Sequence, residues 1–270
     1  MSNSIASSHK ITFSTFSGVP NSARALIWQV FFATRQRGID LSTHFPWINQ
    51  TTGTYCLALS EANDGPVVAT LVLRECNLPS GSRCAMIGMV CVDQSWRGRG
   101  LSKQLLDNLL IFAAEQKIAS LLLWTGQPNI YVRHGFVPDT YDSFGRVTLN
   151  SLHPHVKIGF TQKRAETTRG LPPFAQQLIC FESEAAQLIV IKTAMGMALA
   201  EWKGVQPAVL DLIETALPST WHLNAFAGSS IFEDIRRRGH SYTPMPCAKR
   251  MVLHLNSPVH IPYISVLDRI

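Results

Sequence analysis

The chain has 270 residues, of which 46% are hydrophobic and 16% charged, and its formal net charge is +6. This composition excludes an intrinsically disordered chain and is typical of a globular protein with one large or two modest domains. No run of about 18 uncharged apolar residues occurs, so we expect no membrane span. The polar N-terminus lacks the apolar core of a signal peptide, which predicts a cytoplasmic location.

Neither cysteine nor histidine spacing points to a metal site. The six cysteines include no Cys-x-x-Cys pair, and several fall within apolar runs. We interpret them as buried free thiols of a reducing compartment. The nine histidines do not show the spacing of zinc ligands, so we expect no metal.

The first part of the chain predicts a helix, a loop and a pair of strands. Apolar residues at helical spacing predict the helix, and Gly38 ends it. A turn signal, Asn63-Asp64-Gly65-Pro66, separates the two strand-like runs that follow. The predicted elements are a helix over residues 23–37, a loop or short helix over 38–54, and paired strands over 54–60 and 67–74.

The most informative stretch of the sequence covers residues 84–102. Residues 84–92 are apolar on both faces, which is typical of a central strand. The motif Arg97-Gly98-Arg99-Gly100-Leu101-Ser102 follows, and it opens an amphipathic helix over 101–116. Free backbone N–H groups at a helix N-terminus bind phosphate oxygens well, and glycine lets the backbone approach the ligand. The pattern therefore predicts a phosphate-binding turn.

Two common phosphate-binding motifs do not fit this turn. No Gly-Lys-Ser/Thr ends it, as a Walker loop requires. The third glycine of the dinucleotide-binding fingerprint is missing, since Lys103 stands in its place.

The strand, the glycine turn and the helix instead resemble the acetyl-CoA-binding motif of the GNAT acetyltransferases. Arg97, Gly100 and Ser102 match the family pattern Arg/Gln-x-x-Gly-x-Gly/Ala, with serine in the last position as a small departure. A second match follows the predicted strand over 121–124. There, Tyr131 precedes Gly135-Phe136 as in the family's Leu-Tyr-x-x-x-Gly-Phe segment.

The resemblance implies acetyl-CoA as co-substrate. In such a fold the central strand splays from its neighbour, and strand backbone groups bond the pantetheine arm. Backbone amides of the glycine turn hold the pyrophosphate, and nearby arginines add positive charge. The cofactor-binding residues implied are Val90, Cys91, Val92, Arg97, Gly98, Arg99, Gly100, Leu101 and Ser102.

The catalytic residues that we predict are Tyr131 and Glu75. The motif position of Tyr131 implies a general acid that protonates the leaving thiolate, and the alternative is a tyrosine that only packs in the core. An amine must be neutral to attack, so a base or a water relay is expected. The strand over 84–92 offers no carboxylate; Glu75 is the predicted base, with Asp93 as the alternative.

The second half of the chain looks like a partial repeat of the first. Its predicted elements are helices over 207–217 and 230–238 and strands over 221–226 and 248–255. No Arg-Gly-x-Gly precedes the first of these helices, so we expect a degenerate unit that binds no cofactor; an unrelated α+β extension is the alternative. A further strand is predicted over 146–152.

The predicted architecture is therefore the α/β (α+β) GNAT acyl-CoA N-acyltransferase fold. A mixed central sheet is flanked by helices, and a second, smaller GNAT-like α/β domain follows. The predicted boundaries are 1–157 for the acetyltransferase domain, 158–174 for a linker and 175–270 for the degenerate domain.

The predicted function is transfer of acetyl from acetyl-CoA to a primary amine of a small molecule or peptide. The alternatives are a non-catalytic CoA-binding regulatory module and an enzyme for a different acyl group. Neither a membrane nor nucleic acid is an expected partner, and a homodimer is left open. We interpret the basic run Arg236-Arg237-Arg238 as a solvated helix end, with a polyanion site as the alternative.

Overall fold

The structure, a computed structural model, describes residues 10–36, 38–62, 65–139, 142–150, 158–165 and 168–270. The N-terminal segment, the first two residues of the turn predicted at 63–66 and the end of the strand predicted at 146–152 lie outside these residues. The described residues form two seven-stranded mixed sheets with helices. The predicted α/β class is confirmed.

The first sheet contains the predicted central strand. Its strands, in the order in which they lie side by side, are β1 (Ile11–Ser17), β2 (Thr54–Glu61), β3 (Val67–Asn77), β4 (Arg83–Val92), β5 (Ser120–Thr125), β14 (Lys249–His254) and β6 (Val137–Asp139). All neighbours are antiparallel except β4 and β5, which run parallel.

Helices cover both faces of this sheet. They are α1 (Asn21–Phe31), the short α2 (Leu41–His44), α3 (Leu101–Glu115) and the short α4 (Pro128–Val132). On one face, Leu105 and Leu109 of α3 pack with Leu57 of β2. On the other face, Ile27 of α1 packs with the adjacent Cys56. Successive strand residues point to opposite faces, so β2 contributes to both cores.

The second sheet repeats the same strand order. Its strands, from edge to edge, are β8 (Thr161–Arg164), β9 (Gln177–Glu182), β10 (Ala186–Thr193), β11 (Gly196–Gly204), β12 (Thr220–Phe226), β7 (Asp142–Thr148) and β13 (Ser241–Pro244). Here too one neighbouring pair, β11 and β12, is parallel. Helices α5 (Gln206–Ala216) and α6 (Ile231–Arg237) accompany the sheet.

The two sheets exchange one strand each. Strand β7 comes from the first half of the chain but lies between β12 and β13 of the second sheet. Strand β14 comes from the end of the chain but lies between β5 and β6 of the first sheet. The sheets therefore do not divide the chain at the predicted boundaries of 157 and 175, and the predicted linker over 158–174 contains β8.

Most predicted elements lie where the sequence placed them, with shifted ends. Helix α1 ends at Phe31, earlier than expected, and a 3-10 turn over Ala33–Arg35 follows it. The strand predicted over 146–152 begins at Asp142 and ends at Thr148. Strands β8 to β11 were not predicted, and they turn the expected partial repeat into a full one.

Candidate active site

A cleft opens in the first sheet where β4 and β5 separate. Both strands are fully described, and their parallel pairing covers only Cys84 to Met86 of β4. Beyond this point β4 carries a bulge at Met89, whose φ of 53° is unusual for a residue other than glycine. The bulge bends β4 away and leaves the backbone of residues 87–92 without a strand partner on the β5 side. The splay that the family resemblance implies is therefore present.

A cavity of about 880 Å3, here called the first cavity, fills this cleft. Its walls come from β4, from the end of β5 and its following turn, and from α1. Among the residues predicted to bind the cofactor, those that line it are Val90, Cys91, Val92, Arg97 and Ser102. Tyr131 also lines it.

The loop over residues 93–100 leads from β4 into α3. Gly98 and Gly100 both have φ of +77°, a conformation that glycine adopts without strain. A Cβ at either position would meet no atom within 4 Å, so space remains beside the backbone. Gly100 is the N-cap of α3, and its carbonyl accepts a hydrogen bond from the N–H of Gln104. The N–H groups of the first turn are thus available to an anion.

The two arginines of the loop have different surroundings. Arg97 lines the first cavity, and its Nε donates to the carbonyl of Val92 at 3.4 Å. The guanidinium of Arg99 lies 4.5 Å from the centre of the Trp96 ring. The side chain of Leu101 is buried in the core, so only its backbone remains for a ligand.

Cys91 carries a protonated thiol and not the reactive thiolate. Its side chain is buried at the edge of the first cavity, and burial raises its pKa to about 12. A thiol of this pKa is protonated at neutral pH, and the thiolate is the reactive form.

Tyr131 lies on α4, across the first cavity from β4. Its ring packs edge-to-face on Phe136 with centroids 6.0 Å apart. The helix closes when the N–H groups of His134 and Phe136 donate to the carbonyl of Tyr131, and Gly135 adopts a φ of +85°. Burial raises the pKa of the tyrosine above its ordinary value of 10. The hydroxyl is therefore protonated throughout the physiological pH range.

The predicted base, Glu75, lies elsewhere. It sits opposite Ala85 on the pair β3 and β4, and its Oε1 lies 2.5 Å from Nη2 of Arg83. It is not among the residues that line the first cavity. The alternative, Asp93, accepts hydrogen bonds from the N–H and the hydroxyl of Ser95, which lower its pKa. No aspartate or glutamate occurs among the described residues that line this cavity.

The structure also places Ile270 at the site, and the sequence patterns did not predict this residue there. Its backbone carbon would lie 2.7 Å from a Cβ built on Gly88, so this glycine lets the segment approach β4 closely. A glycine inside an apolar strand is a known sign of close backbone approach, so Gly88 was the available signal.

The basic run at the end of α6 is neutralised by its neighbours. Arg236 pairs with Glu233 at 2.5 Å, and Arg238 pairs with Asp211 at 2.8 Å and Glu214 at 3.1 Å. These ion pairs favour the interpretation as a helix end over a polyanion site.

Within the described residues, no cluster of three or more His, Cys, Asp or Glu is placed to hold a metal ion. None of the helices in the described part of the chain is long and apolar enough to cross a membrane.

Residues 21–136 match the model of the acetyltransferase (GNAT) family, a range that covers the glycine loop and ends at Phe136. This part of the chain is a GNAT acetyltransferase domain. The family uses acetyl-CoA as co-substrate, and the match supports acetyltransferase activity in general. A sequence search of curated proteins finds no match.

Solved structures share the fold over nearly the whole chain. A GCN5-related N-acetyltransferase from Anabaena variabilis aligns with a TM-score of 0.63 at 11% identity, covering 91% of this chain and 73% of that one. Eis1 from Mycobacterium abscessus aligns with a TM-score of 0.59 at 12% identity, covering 90% and 73%. A GCN5-related N-acetyltransferase from Kribbella flavida aligns with a TM-score of 0.58 at 12% identity, covering 92% and 72%. At such identities the likeness shows the acyl-CoA N-acyltransferase fold alone.

Proposed function

We propose that the protein transfers the acetyl group of acetyl-CoA to a primary amine of a small molecule or peptide. The observation that carries the proposal is that β4 has no strand partner on its β5 side beyond Met86. This stretch of β4 lines the same cavity as Arg97 of the glycine loop and Tyr131.

The unpaired stretch of β4 suits the amide groups of a pantetheine arm. Backbone N–H and C=O groups need partners when they are buried, and the arm would supply them between Val90 and Val92. The loop over 93–100 lies at the end of that stretch. There the first-turn amides of α3 and the charge of Arg97 would hold the pyrophosphate.

We assign Tyr131 as the general acid. The amine nitrogen attacks the thioester carbon and forms the C–N bond, and the C–S bond breaks. The Tyr131 hydroxyl gives its proton to the departing thiolate, and the proton that the amine loses goes to solvent. Burial keeps the hydroxyl protonated until it is needed, because it disfavours the charged phenolate.

No aspartate or glutamate side chain occurs among the described residues that line the first cavity, and this shapes the mechanism. Solvent, rather than Glu75 or Asp93, deprotonates the incoming amine in our proposal. A water-assisted route is consistent with the polar side chains of Thr125 and Gln127 on the cavity wall.

Turnover of acetyl-CoA with a panel of primary amines tests the proposal, with CoA measured by chromatography. We expect Tyr131→Phe to lower kcat about 10²- to 10⁴-fold, the usual contribution of a general acid, with little change in the KM for acetyl-CoA. The matched control is Tyr242→Phe, which removes a hydroxyl that lies 2.8 Å from Ser143 in the second sheet. Its kcat should equal that of the wild type.

Two results would contradict the proposal. If the wild type binds acetyl-CoA but releases no CoA with any amine, the protein is a non-catalytic binding module. If Tyr131→Phe retains full kcat, the tyrosine only packs in the core.

A further inference from the structure

A second cavity of about 420 Å3 adjoins the first one. The two share four lining residues: Phe45, Trp124, Pro173 and Ile270. The second cavity also contacts both sheets, since Trp124 belongs to β5 and Phe144 and Asn224 belong to β7 and β12. It therefore extends the first cavity beyond the four shared residues, and no residue of the glycine loop lines it.

The acidic side chain of this cavity is already engaged. Asp142, only 5% exposed, accepts a hydrogen bond from the indole N–H of Trp124. Its other oxygen is ion-paired with Nη2 of Arg269 at 3.2 Å but accepts no hydrogen bond from the described residues. The guanidinium of Arg269 in turn lies 4.6 Å from the centre of the Trp124 ring and donates to the carbonyl of Ile264.

Two further polar side chains of the second cavity, Arg169 and His44, are also paired within the protein. Arg169 forms two hydrogen bonds, of 2.6 and 2.7 Å, to the carboxylate of Glu201. His44 has its Nδ1 2.7 Å from the carbonyl of Leu171, and its Nε2 accepts from the N–H of Ile39. These partners use the bonding directions with which the side chains would otherwise recognise a polar ligand.

The greater part of the described wall is apolar. The rings and aliphatic groups that line the second cavity belong to Phe45, Phe144, Pro172, Pro173, Phe174, Pro246, Val266 and Leu267. Aromatic walls bury apolar ligand groups and favour stacked or edge-to-face rings. The volume is in the lower part of the range of small-molecule sites, which fits one ring with a short chain.

We infer that the acceptor of this enzyme is a small primary amine that carries an aromatic group, and that the second cavity takes up this group. The inference rests on the proposed acetyl transfer and names its substrate class. The amine would lie at the four shared residues, where the two cavities meet, and the ring would lie among the phenylalanines and prolines beyond.

The first test compares three primary amines on the wild type: 2-phenylethylamine, ethanolamine and 1,4-diaminobutane. We expect kcat/KM for 2-phenylethylamine to exceed that for ethanolamine by about 100-fold, since burial of a phenyl group is the main difference. Equal values for these two amines would overturn the inference. So would a preference for the diamine that Asp142→Asn abolishes, because the cavity would then select a cation.

The second test removes one ring from the wall. Phe174 is half-exposed on a loop, so Phe174→Ala should not disturb folding. We expect about a tenfold lower kcat/KM for 2-phenylethylamine, with unchanged values for ethanolamine and an unchanged KM for acetyl-CoA. The matched control is Phe160→Ala: Phe160 is 37% exposed and is not among the residues that line either cavity.

Failure of the acetyl transfer itself gives a different result. In that case no amine is acetylated although acetyl-CoA binds. Calorimetric titration of 2-phenylethylamine into the CoA-loaded protein then still tests the cavity. Saturable binding that Phe174→Ala weakens supports the aromatic site, and no binding overturns it.

Discussion

The two sheets share one strand order, yet among the described residues only the first sheet combines its splayed strand with a glycine loop and a tyrosine. In both, a parallel strand pair is followed on one side by an exchanged strand and a short edge strand. In both, the parallel pairing is brief, with three partner pairs between β4 and β5 and two between β11 and β12. The splay of the strands thus belongs to the fold and does not by itself make a binding site.

The two sheets differ in the connection that follows the splayed strand. In the first sheet, the loop over 93–100 contains two glycines with positive φ before α3 begins. In the second, only Val205 separates β11 from α5, and Pro207 in the first turn of that helix has no N–H to offer. A phosphate cradle needs the longer loop, so this difference explains how one copy could lose the ligand without losing the fold.

The two sheets also differ in the short helix that follows the parallel strand pair, and again only the first sheet has the residue that the proposed reaction needs. Tyr131 stands four residues before Gly135, and the N–H of Phe136 donates to its carbonyl. In the second sheet Ile235 stands four residues before Gly239, and the N–H of His240 donates to its carbonyl. The backbone is the same, but a fully buried isoleucine replaces the hydroxyl.

The strand exchange predicts that the two halves cannot fold apart. A fragment of residues 1–157 would lack β14, which pairs with β5 along its whole length, and its β7 would have no sheet to join. We expect this fragment to show no cooperative unfolding transition, whereas co-expression with residues 158–270 restores one. Circular dichroism during thermal unfolding measures this.

The outcome decides between an interlocked pair and two independent domains. Cooperative unfolding of fragment 1–157 alone would mean that the predicted boundary at 157 is a true domain boundary and that β14 is dispensable. The co-expressed halves are the control for the position of the cut.

A tryptophan in the glycine loop should abolish cofactor binding. Gly100→Trp places a large side chain in the open space beside the first turn of α3, where phosphates would lie. Charge-assisted hydrogen bonds are each worth about 1.5–3 kcal/mol, so loss of two weakens acetyl-CoA binding about 100-fold or more. Isothermal titration calorimetry measures the Kd.

Gly196→Trp is the matched control in the second sheet. Gly196 also has positive φ and open space around its Cβ position, but it lies at the start of β11, away from the first cavity. Both positions have a positive φ, +77° at Gly100 and +123° at Gly196, so weakened binding in both variants would show that backbone strain, and not the phosphate cradle, is responsible.

Local signals made the first site predictable from the sequence. The apolar stripe of α3, the glycines before it and the spacing from Tyr131 to Gly135 are all encoded within a few residues. Strand β8 was missed because all four of its residues are exposed and polar, as suits an edge strand, and such a run has no hydrophobic pattern.

Long-range pairing was beyond the reach of such signals. Nothing near Lys249–His254 specifies that this strand joins β5, more than a hundred residues earlier in the chain. The same limit applies to Glu75, because the sequence shows a carboxylate at a strand end but not that Arg83 lies beside it. Asp142 and Trp124 meet in the second cavity only because the sheets exchange strands.

The pH profile of the proposed reaction tests the hydroxyl group that Tyr131 has and Ile235 lacks. Solvent deprotonates the amine in our proposal, so kcat/KM should rise about tenfold per pH unit between pH 7 and 9 for an amine of pKa near 10. Burial raises the pKa of Tyr131 above 10, and its protonated form is the active one, so activity should not fall within this window. Tyr131→Phe should lower the whole profile without changing its slope. A decline between pH 7 and 9 in the wild type would mean that another group, of lower pKa, supplies the proton.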